Sequence, residues 1–244
     1  MDRLDTSRGA SPLYLQISQI LRKKIVSKEY SYNTIIPSET ELQKMYNVSR
    51  ITARQAIQEL EKDGMVKRSR GVGTVVVYQE RIEEYLSHIK SFTNEMKERG
   101  ITPSTSYAHI GLAEADEKLV ALFGVDTGAK LYRLDRVRNG DGSPIVLFVS
   151  HFTLECDLVL DDSLYFGSIY EMLQEKGFTP EYVEECFDCI MPEAWVREHL
   201  GMPKGMPALR RIRRSYTENG KMLEYTVSYY RSDRYAYYVT LKKA

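Results

Sequence analysis

Pro37-Ser38-Glu39-Thr40-Glu41-Leu42 opens a stretch that runs on through Asn47-Val48-Ser49-Arg50-Ile51-Thr52-Ala53-Arg54, Asp63-Gly64 and Lys67-Arg68-Ser69-Arg70-Gly71-Val72-Gly73-Thr74. Ser38 is a good N-cap, and Glu39 and Glu41 set negative charge in the first turn behind it. Leu42, Met45 and Tyr46 recur at helical spacing. Asn47 tolerates the left-handed backbone that ends a helix. Ser49 then caps a second helix, Arg50 to Lys62, which buries Ala53, Ala56, Ile57 and Leu60 and leaves Arg50, Ile51, Thr52 and Arg54 outward. Gly64 stops it. Met65 to Val77 predicts a two-strand hairpin whose tip is Arg70-Gly71-Val72-Gly73.

Helix, tight turn, helix and basic hairpin make a winged helix-turn-helix. In such motifs the first residues of the second helix meet base edges. Arginine can give a guanine two hydrogen bonds, and serine or threonine can bond phosphate. Lys67, Arg68 and Arg70 suit phosphate contact or minor-groove insertion. The bland alternative is a helical hairpin with a solvated charged face; the cationic wing at the right distance argues against it. The segment resembles the DNA-binding domain of the GntR family of bacterial transcription regulators. The resemblance rests on Pro37-Ser38-Glu39, Leu42, Val48-Ser49-Arg50, Thr52, Arg54, Ala56, Leu60, Gly64 and Arg70-Gly71-Val72-Gly73-Thr74. It implies that Arg50 and Arg54 read bases, that Ser49 and Thr52 hold phosphates, and that Gly71 lies near the minor groove. Ser38, Lys67, Arg68 and Arg70 complete the candidate DNA-binding set. The family often has arginine where this chain has Thr40.

The chain has 244 residues, 43% of them hydrophobic, enough for one large or two modest domains. Its formal net charge is zero but unevenly spread: residues 1–80 carry +4 and the rest −4. A mildly basic front fits DNA contact, and an acidic back argues against DNA wrapping the whole protein. No apolar run is long enough to span a membrane, and the N-terminus lacks a signal peptide's apolar core. Three cysteines suit a reducing cytoplasm. Cys186 and Cys189 form a C-x-x-C, but on a predicted strand they point to opposite faces, and no second pair or histidine cluster completes a metal site. No metal and no cofactor is expected.

Residues 1–78 are expected to form the winged domain, 79–90 a charged, semi-rigid linker, and 91–244 an α+β domain. In the last, short helices begin at Ser91 and Ser168. Strands are expected at Leu131–Asn139 and Pro144–Thr153, joined by Asp141-Gly142, then at Tyr182–Met191, Leu209–Glu218, Lys221–Tyr230 and Tyr235–Leu241. Several antiparallel strands with interspersed helices make an α+β sheet.

Arg136 and Arg138 stand two apart, so a strand puts them on one face. Side by side they repel unless something anionic lies between, and a phosphate or carboxylate suits their fork geometry. Ser91 and Thr93 stand at a helix start, where free N–H groups favour anions. Ser168 and Tyr170 add hydroxyls, and Glu224 and Tyr230 could bond sugar hydroxyls or an amine. The other reading stays open: both arginines pair with acids on a neighbouring strand, Ser91 or Thr93 only caps, and Glu224 meets Arg231 or Arg234.

This half resembles the UTRA effector-binding domain of the HutC subfamily, whose fold is chorismate lyase-like. The resemblance rests on Ser91-Phe92-Thr93, Leu131-Tyr132-Arg133, Arg136-Val137-Arg138, Asp141-Gly142-Ser143-Pro144, Ser150, Ser168-Ile169-Tyr170, Glu224-Tyr225 and Tyr230 to Tyr235. It implies an effector pocket lined by Ser91, Phe92, Thr93, Arg136, Arg138, Ser168, Tyr170, Glu224 and Tyr230. Phe148 and His151 depart from the family's usual Glu and Tyr. Together the two resemblances imply a cytoplasmic homodimer that binds double-stranded operator DNA, a repressor controlled by a small anion such as a sugar phosphate. A lyase-like enzyme has no visible nucleophile–base set behind it, the four histidines being scattered; a constitutive architectural DNA binder is the other alternative.

Overall fold

A computed structural model of the chain describes residues 4–7, 9–79, 81–85 and 88–240, with only the backbone at Tyr85. It divides into two compact units, residues 1–80 and 81–244.

The first unit holds α1 (Leu13–Val26), α2 (Glu39–Tyr46), α3 (Arg50–Lys62), β1 (Val66–Ser69) and β2 (Gly73–Val76). Ser38 and Glu41 close a reciprocal capping box at the start of α2, so two backbone donors that the helix cannot satisfy are both used. Asn47 ends α2 in the left-handed conformation, at φ 50°. The Ser49 side chain accepts from the Thr52 backbone N–H and starts α3. Ile17, Leu21 and Ile25 of α1 meet Leu42 of α2, Ala53, Ala56, Ile57 and Leu60 of α3, and Val66 and Val76 of the hairpin in one core. The two alanines of α3 let its neighbours pack close.

The second unit is built on one antiparallel sheet of six strands: β4 (Pro103–Glu114), β5 (Lys130–Gly140), β6 (Ser143–Phe152), β7 (Tyr182–Ile190), β8 (Ala208–Tyr216) and β9 (Met222–Arg231), in the order β4-β5-β6-β9-β8-β7. Asp141 and Gly142 turn β5 into β6 with φ of 48° and 77°; positive φ at both positions matches the twist of a tight hairpin. Four short helices accompany the sheet: α4 (Phe92–Glu98), α5 (Glu117–Phe123), α6 (Ile169–Glu175) and α7 (Ala194–Leu200). Ser91 and Ser168 cap α4 and α6.

One element departs from the sequence expectation. Ile82–Tyr85, within the segment read as a linker, forms strand β3 and pairs in parallel with β10 (Tyr235–Tyr238) in a separate two-stranded sheet. Ile82 and Glu84 both turn inward and are buried. A buried glutamate breaks the apolar alternation by which a strand is recognised, so the segment read as charged linker. Leu241, the expected end of the last strand, lies outside the described residues.

Candidate functional site

The first candidate surface is the start of α3 with the hairpin. Arg50 and Arg54 are exposed, the Arg50 side chain at 79%, and Ile51 beside them is 70% exposed. The Ser49 and Thr52 hydroxyls lie 2.9 Å apart at the helix start. Lys67 and Arg70 are exposed on the hairpin, and Gly71 takes φ 78° at its tip. Arg68 differs. Strand alternation turns it toward the helices, where it lies 3.6 Å from Glu39 and 3.8 Å from Glu61. Its guanidinium also donates to the Arg54 carbonyl at 3.5 Å. Glu39 reaches the other way to Arg50, at 3.4 Å. One carboxylate therefore sits between an arginine of α3 and an arginine of the hairpin. Arg68, read from sequence as suited to phosphate contact or minor-groove insertion, is thus drawn toward these carboxylates with its side chain 35% exposed. Ser38 is committed to its capping box.

The second candidate site is a small pocket, partly open to solvent, on one face of the six-stranded sheet. Its floor follows from register. Arg136 on β5 stands opposite Phe148 on β6, Phe148 opposite Ser228 on β9, and Ser228 opposite Arg211 on β8. In the next row Ser150, Thr226 and Arg213 are aligned. Arg138 and Glu224 share this face by the two-residue period. The N-terminal ends of α4 and α6 bring Ser91, Phe92, Thr93, Ser168 and Tyr170 to the rim. A sheet centre that spends four strands' inward positions on buried polar and charged groups is costly unless something uses them.

The arginines fall into two pairs with different partners. Arg211 lies 3.5 Å from Glu185 and 3.8 Å from Glu84, and Arg213 lies 2.6 Å from Glu185. Arg136 and Arg138 have no ion pair among the described residues. Both donate to a single neutral acceptor, the Gly167 carbonyl, at 3.1 and 2.7 Å. Arg138 also donates to Thr93 Oγ1 at 2.9 Å, and the Nε of each arginine is buried without a hydrogen-bond partner. Burial, with the charge of Arg138 next, pushes the Arg136 guanidinium down to about 9; burial pushes Arg138 down to about 10. Two desolvated cations that share one carbonyl leave hydrogen-bonding capacity of a kind that a phosphate or carboxylate can use.

At the other side of the pocket Glu224 accepts from Tyr170 at 2.6 Å and from Ser215 at 2.9 Å. It meets neither Arg231 nor Arg234 there. Burial, with the neighbouring Glu224 charge, pushes the Tyr170 hydroxyl up to about 12.

Eight of the nine residues read from sequence as effector contacts line this pocket; Tyr230 does not. It shares the inward face with Glu224, but six residues along a strand is roughly 20 Å. There it is buried against Phe148, Tyr235 and Tyr237, with the Arg211 guanidinium over its ring. Glu95, Arg211, Arg213 and Thr226 line the pocket and were not singled out from sequence. Arg211 and Arg213 repeat the two-residue spacing of Arg136 and Arg138, but they lie in Arg210-Arg211-Ile212-Arg213-Arg214, where both faces carry arginine and the spacing names neither. Phe148 is in the wall, and His151, of opposite parity, is on the other face against Tyr225.

Comparison with known proteins shows the family of the chain. Residues 13–76 match the bacterial regulatory proteins of the gntR family, and residues 98–236 match the UTRA domain. The chain belongs to the gntR family. This gntR-family chain is 32% identical to the HTH-type transcriptional repressor NagR of Bacillus subtilis (strain 168), over 93% of each chain. It is 25% identical to the mannosyl-D-glycerate transport/metabolism system repressor MngR of Escherichia coli (strain K12), over 94% of this chain and 95% of that one. The crystal structure of PhnF from Mycobacterium smegmatis is similar at a TM-score of 0.64 and 26% identity, covering 93% of this chain and all of that one. The family and these relatives are transcriptional regulators rather than enzymes. This gntR-family member is accordingly a DNA-binding transcriptional regulator with a C-terminal UTRA domain. No helix among its described residues is long and apolar enough to cross a membrane.

Proposed function

We propose that the protein is a homodimeric, cytoplasmic repressor whose grip on a double-stranded operator is set by a small anion, such as a phosphorylated sugar, in the pocket of the second unit. The observation that carries this reading is the Arg136–Arg138 pair, buried, without a carboxylate partner among the described residues and sharing one carbonyl. A phosphate or carboxylate supplies the missing charge and accepts from both forks. Ser91 and Ser168 stand at the same end of the pocket as hydroxyl partners for it. Glu224, Tyr170, Ser150 and Thr226 face the remainder with acceptors and donors suited to sugar hydroxyls. The relative named for mannosyl-D-glycerate, a hydroxylated carboxylate, fits the same division.

On the DNA side Arg50 and Arg54 read bases, Ser49 and Thr52 hold phosphate, and Lys67, Arg70 and Gly71 follow the backbone and minor groove. Two copies on a near-palindrome double the contacts. A coupling free energy of about 1–3 kcal/mol between pocket and operator changes affinity several-fold to about a hundred-fold. The test is a thermal-shift series with inorganic phosphate, hexose phosphates, sugar acids and unphosphorylated sugars, followed by operator gel shifts with the ligands that bind. Anionic ligands raise the melting temperature by mass action and weaken the operator complex. Equal shifts for neutral and anionic sugars overturn the anion assignment, and no shift from any ligand leaves a constitutive architectural DNA binder.

A further inference from the structure

Behind the pocket wall lies a cluster that anion recognition does not use. The Tyr235 hydroxyl is 2.6 Å from Glu84 Oε2 and 2.5 Å from Glu95 Oε1. All three residues are buried, Tyr235 completely. A phenol has one hydrogen, and an ionised carboxylate only accepts. One hydroxyl can therefore satisfy one of the two carboxylates. The second contact closes only if a carboxyl carries a proton and donates it into the tyrosine oxygen. The geometry thus requires one proton held between two glutamates.

The three residues come from different places. Glu95 is on α4 and lines the pocket. Glu84 is on β3, the strand through which the chain enters the second unit. Tyr235 is on β10, to which β3 is paired. That pairing spans four residues in a two-stranded ribbon, a length that is marginal on its own backbone hydrogen bonds. Side-chain ties therefore decide whether β3 stays docked.

We propose that Glu84, Tyr235 and Glu95 form a one-proton latch that fastens the entry strand β3 to the wall of the effector pocket, so that loss of the proton, or capture of Glu95 from the pocket side, loosens β3. The effector-linked half of this proposal rests on the pocket reading above; the proton-linked half does not.

The groups around Glu95 fit the role. Glu84 faces it from β3, Tyr235 from β10, Arg211 from β8 and Tyr230 from β9; Arg99, at the end of its own helix, lies 3.6 Å away. Burial, with the Glu84 charge next, outweighs Tyr235 and the two arginines and pushes the Glu95 carboxyl up from 4.5 to about 7. The upward direction of that shift, with its place at the pocket, makes Glu95 the carboxyl to which the proposal assigns the proton. The sign follows. The docked state keeps the proton up to about pH 7, and an undocked, solvated Glu95 loses it above about 4.5. Opening releases a proton between those limits, so the opening constant rises with pH, by up to about tenfold per unit, and levels off above about 7.

The experiment is hydrogen exchange on the full chain without ligand, at pH 5 to 8, corrected for intrinsic exchange. The latch predicts that the amides of residues 82–85 open more readily as pH rises to 7 and no further. Glu95→Gln keeps a neutral donor but cannot titrate, so its β3 exchange is flat across the range. Tyr235→Phe keeps the ring and removes the shared oxygen, so its β3 is loosened at every pH. A flat profile in the unsubstituted chain, or a Glu95→Gln variant with an unchanged pH dependence, overturns the latch. Calorimetric titration of the same samples with inorganic phosphate reports on the Arg136–Arg138 site separately. Phosphate binding with flat β3 exchange removes the latch and leaves the pocket. Proton-linked exchange without phosphate binding supports the latch and removes the effector-linked half.

Discussion

Replacing Arg136 with methionine separates the cost of the anion site from its use. Methionine keeps an unbranched stem of similar length and removes the charge. In the free protein that charge has no ion pair among the described residues and leaves Nε unsatisfied. Its guanidinium is pushed well below the usual arginine range, to about 9, by burial and by Arg138. A depressed arginine means that the unfolded chain binds the proton more tightly. Stability therefore rises with pH only above about 9, up to the ordinary arginine range, and at neutral pH the whole cost is present. Exchanging buried ionic groups for apolar ones of like volume stabilises by about 1–4 kcal/mol in other proteins. For a unit of this size each kcal/mol moves the midpoint by roughly 2–4 °C. Arg136→Met should therefore melt higher than the parent by several degrees. The same change removes charge-assisted hydrogen bonds to the ligand, each worth about 1.5–3 kcal/mol, or roughly 10- to 150-fold in affinity. The assay is thermal denaturation with and without phosphate ligand, paired with calorimetric titration. The unsubstituted chain gains about 2.7 kcal/mol at a hundred times Kd, and the variant, at that concentration, gains almost nothing. A variant that melts lower and still binds phosphate as tightly would refute the assignment of the pair as an anion site.

Three further outcomes are expected. Arg50→Ala and Arg54→Ala, both at exposed positions, should each weaken specific operator binding by about 1–3 kcal/mol while leaving the melting temperature in place, as gel shifts and denaturation curves would show. Arg70→Ala should reduce the salt dependence of DNA binding by about one unit of slope, whereas Arg68→Ala, removing a side chain already held by Glu39 and Glu61, should change the slope less. Tyr230→Phe should leave effector affinity within a factor of two by calorimetry, because its ring is packed among Phe148, Tyr235 and Tyr237 outside the pocket.

The winged unit is legible almost to the residue, because its signals are local: a capping box at Ser38, a left-handed Asn47, a cap at Ser49 and a glycine tip at Gly71. The antiparallel strands of the second unit are legible for the same reason, and the Asp141-Gly142 turn fixes the register of the β5–β6 hairpin. Half of the pocket is legible through the two-residue spacing of Arg136 and Arg138. The other half is hidden by its own composition. Arg211 and Arg213 face inward from a run in which outward neighbours are also arginine, paired to Asp188 and Glu184. Tyr230 has the right parity but the wrong depth along its strand, a distinction that spacing does not carry. Strand β3 is hidden because its inward Glu84 is matched by Tyr235, some 150 residues away, and a partner so distant leaves no mark on the local pattern.

The Gly167 carbonyl between Arg136 and Arg138 has a consequence for how this binding site can evolve. It accepts from both cations and is a main-chain atom, so no side-chain exchange deletes it. The adjoining Phe166 carbonyl is pinned in turn by the Thr105 hydroxyl at 2.8 Å. Under the function proposed above, an oxygen of a guest anion that takes this carbonyl's position would have to push this bend of the chain aside. Tightness of uptake can therefore be tuned from Thr105, on a strand with no part in the wall, without altering any group that recognises the guest.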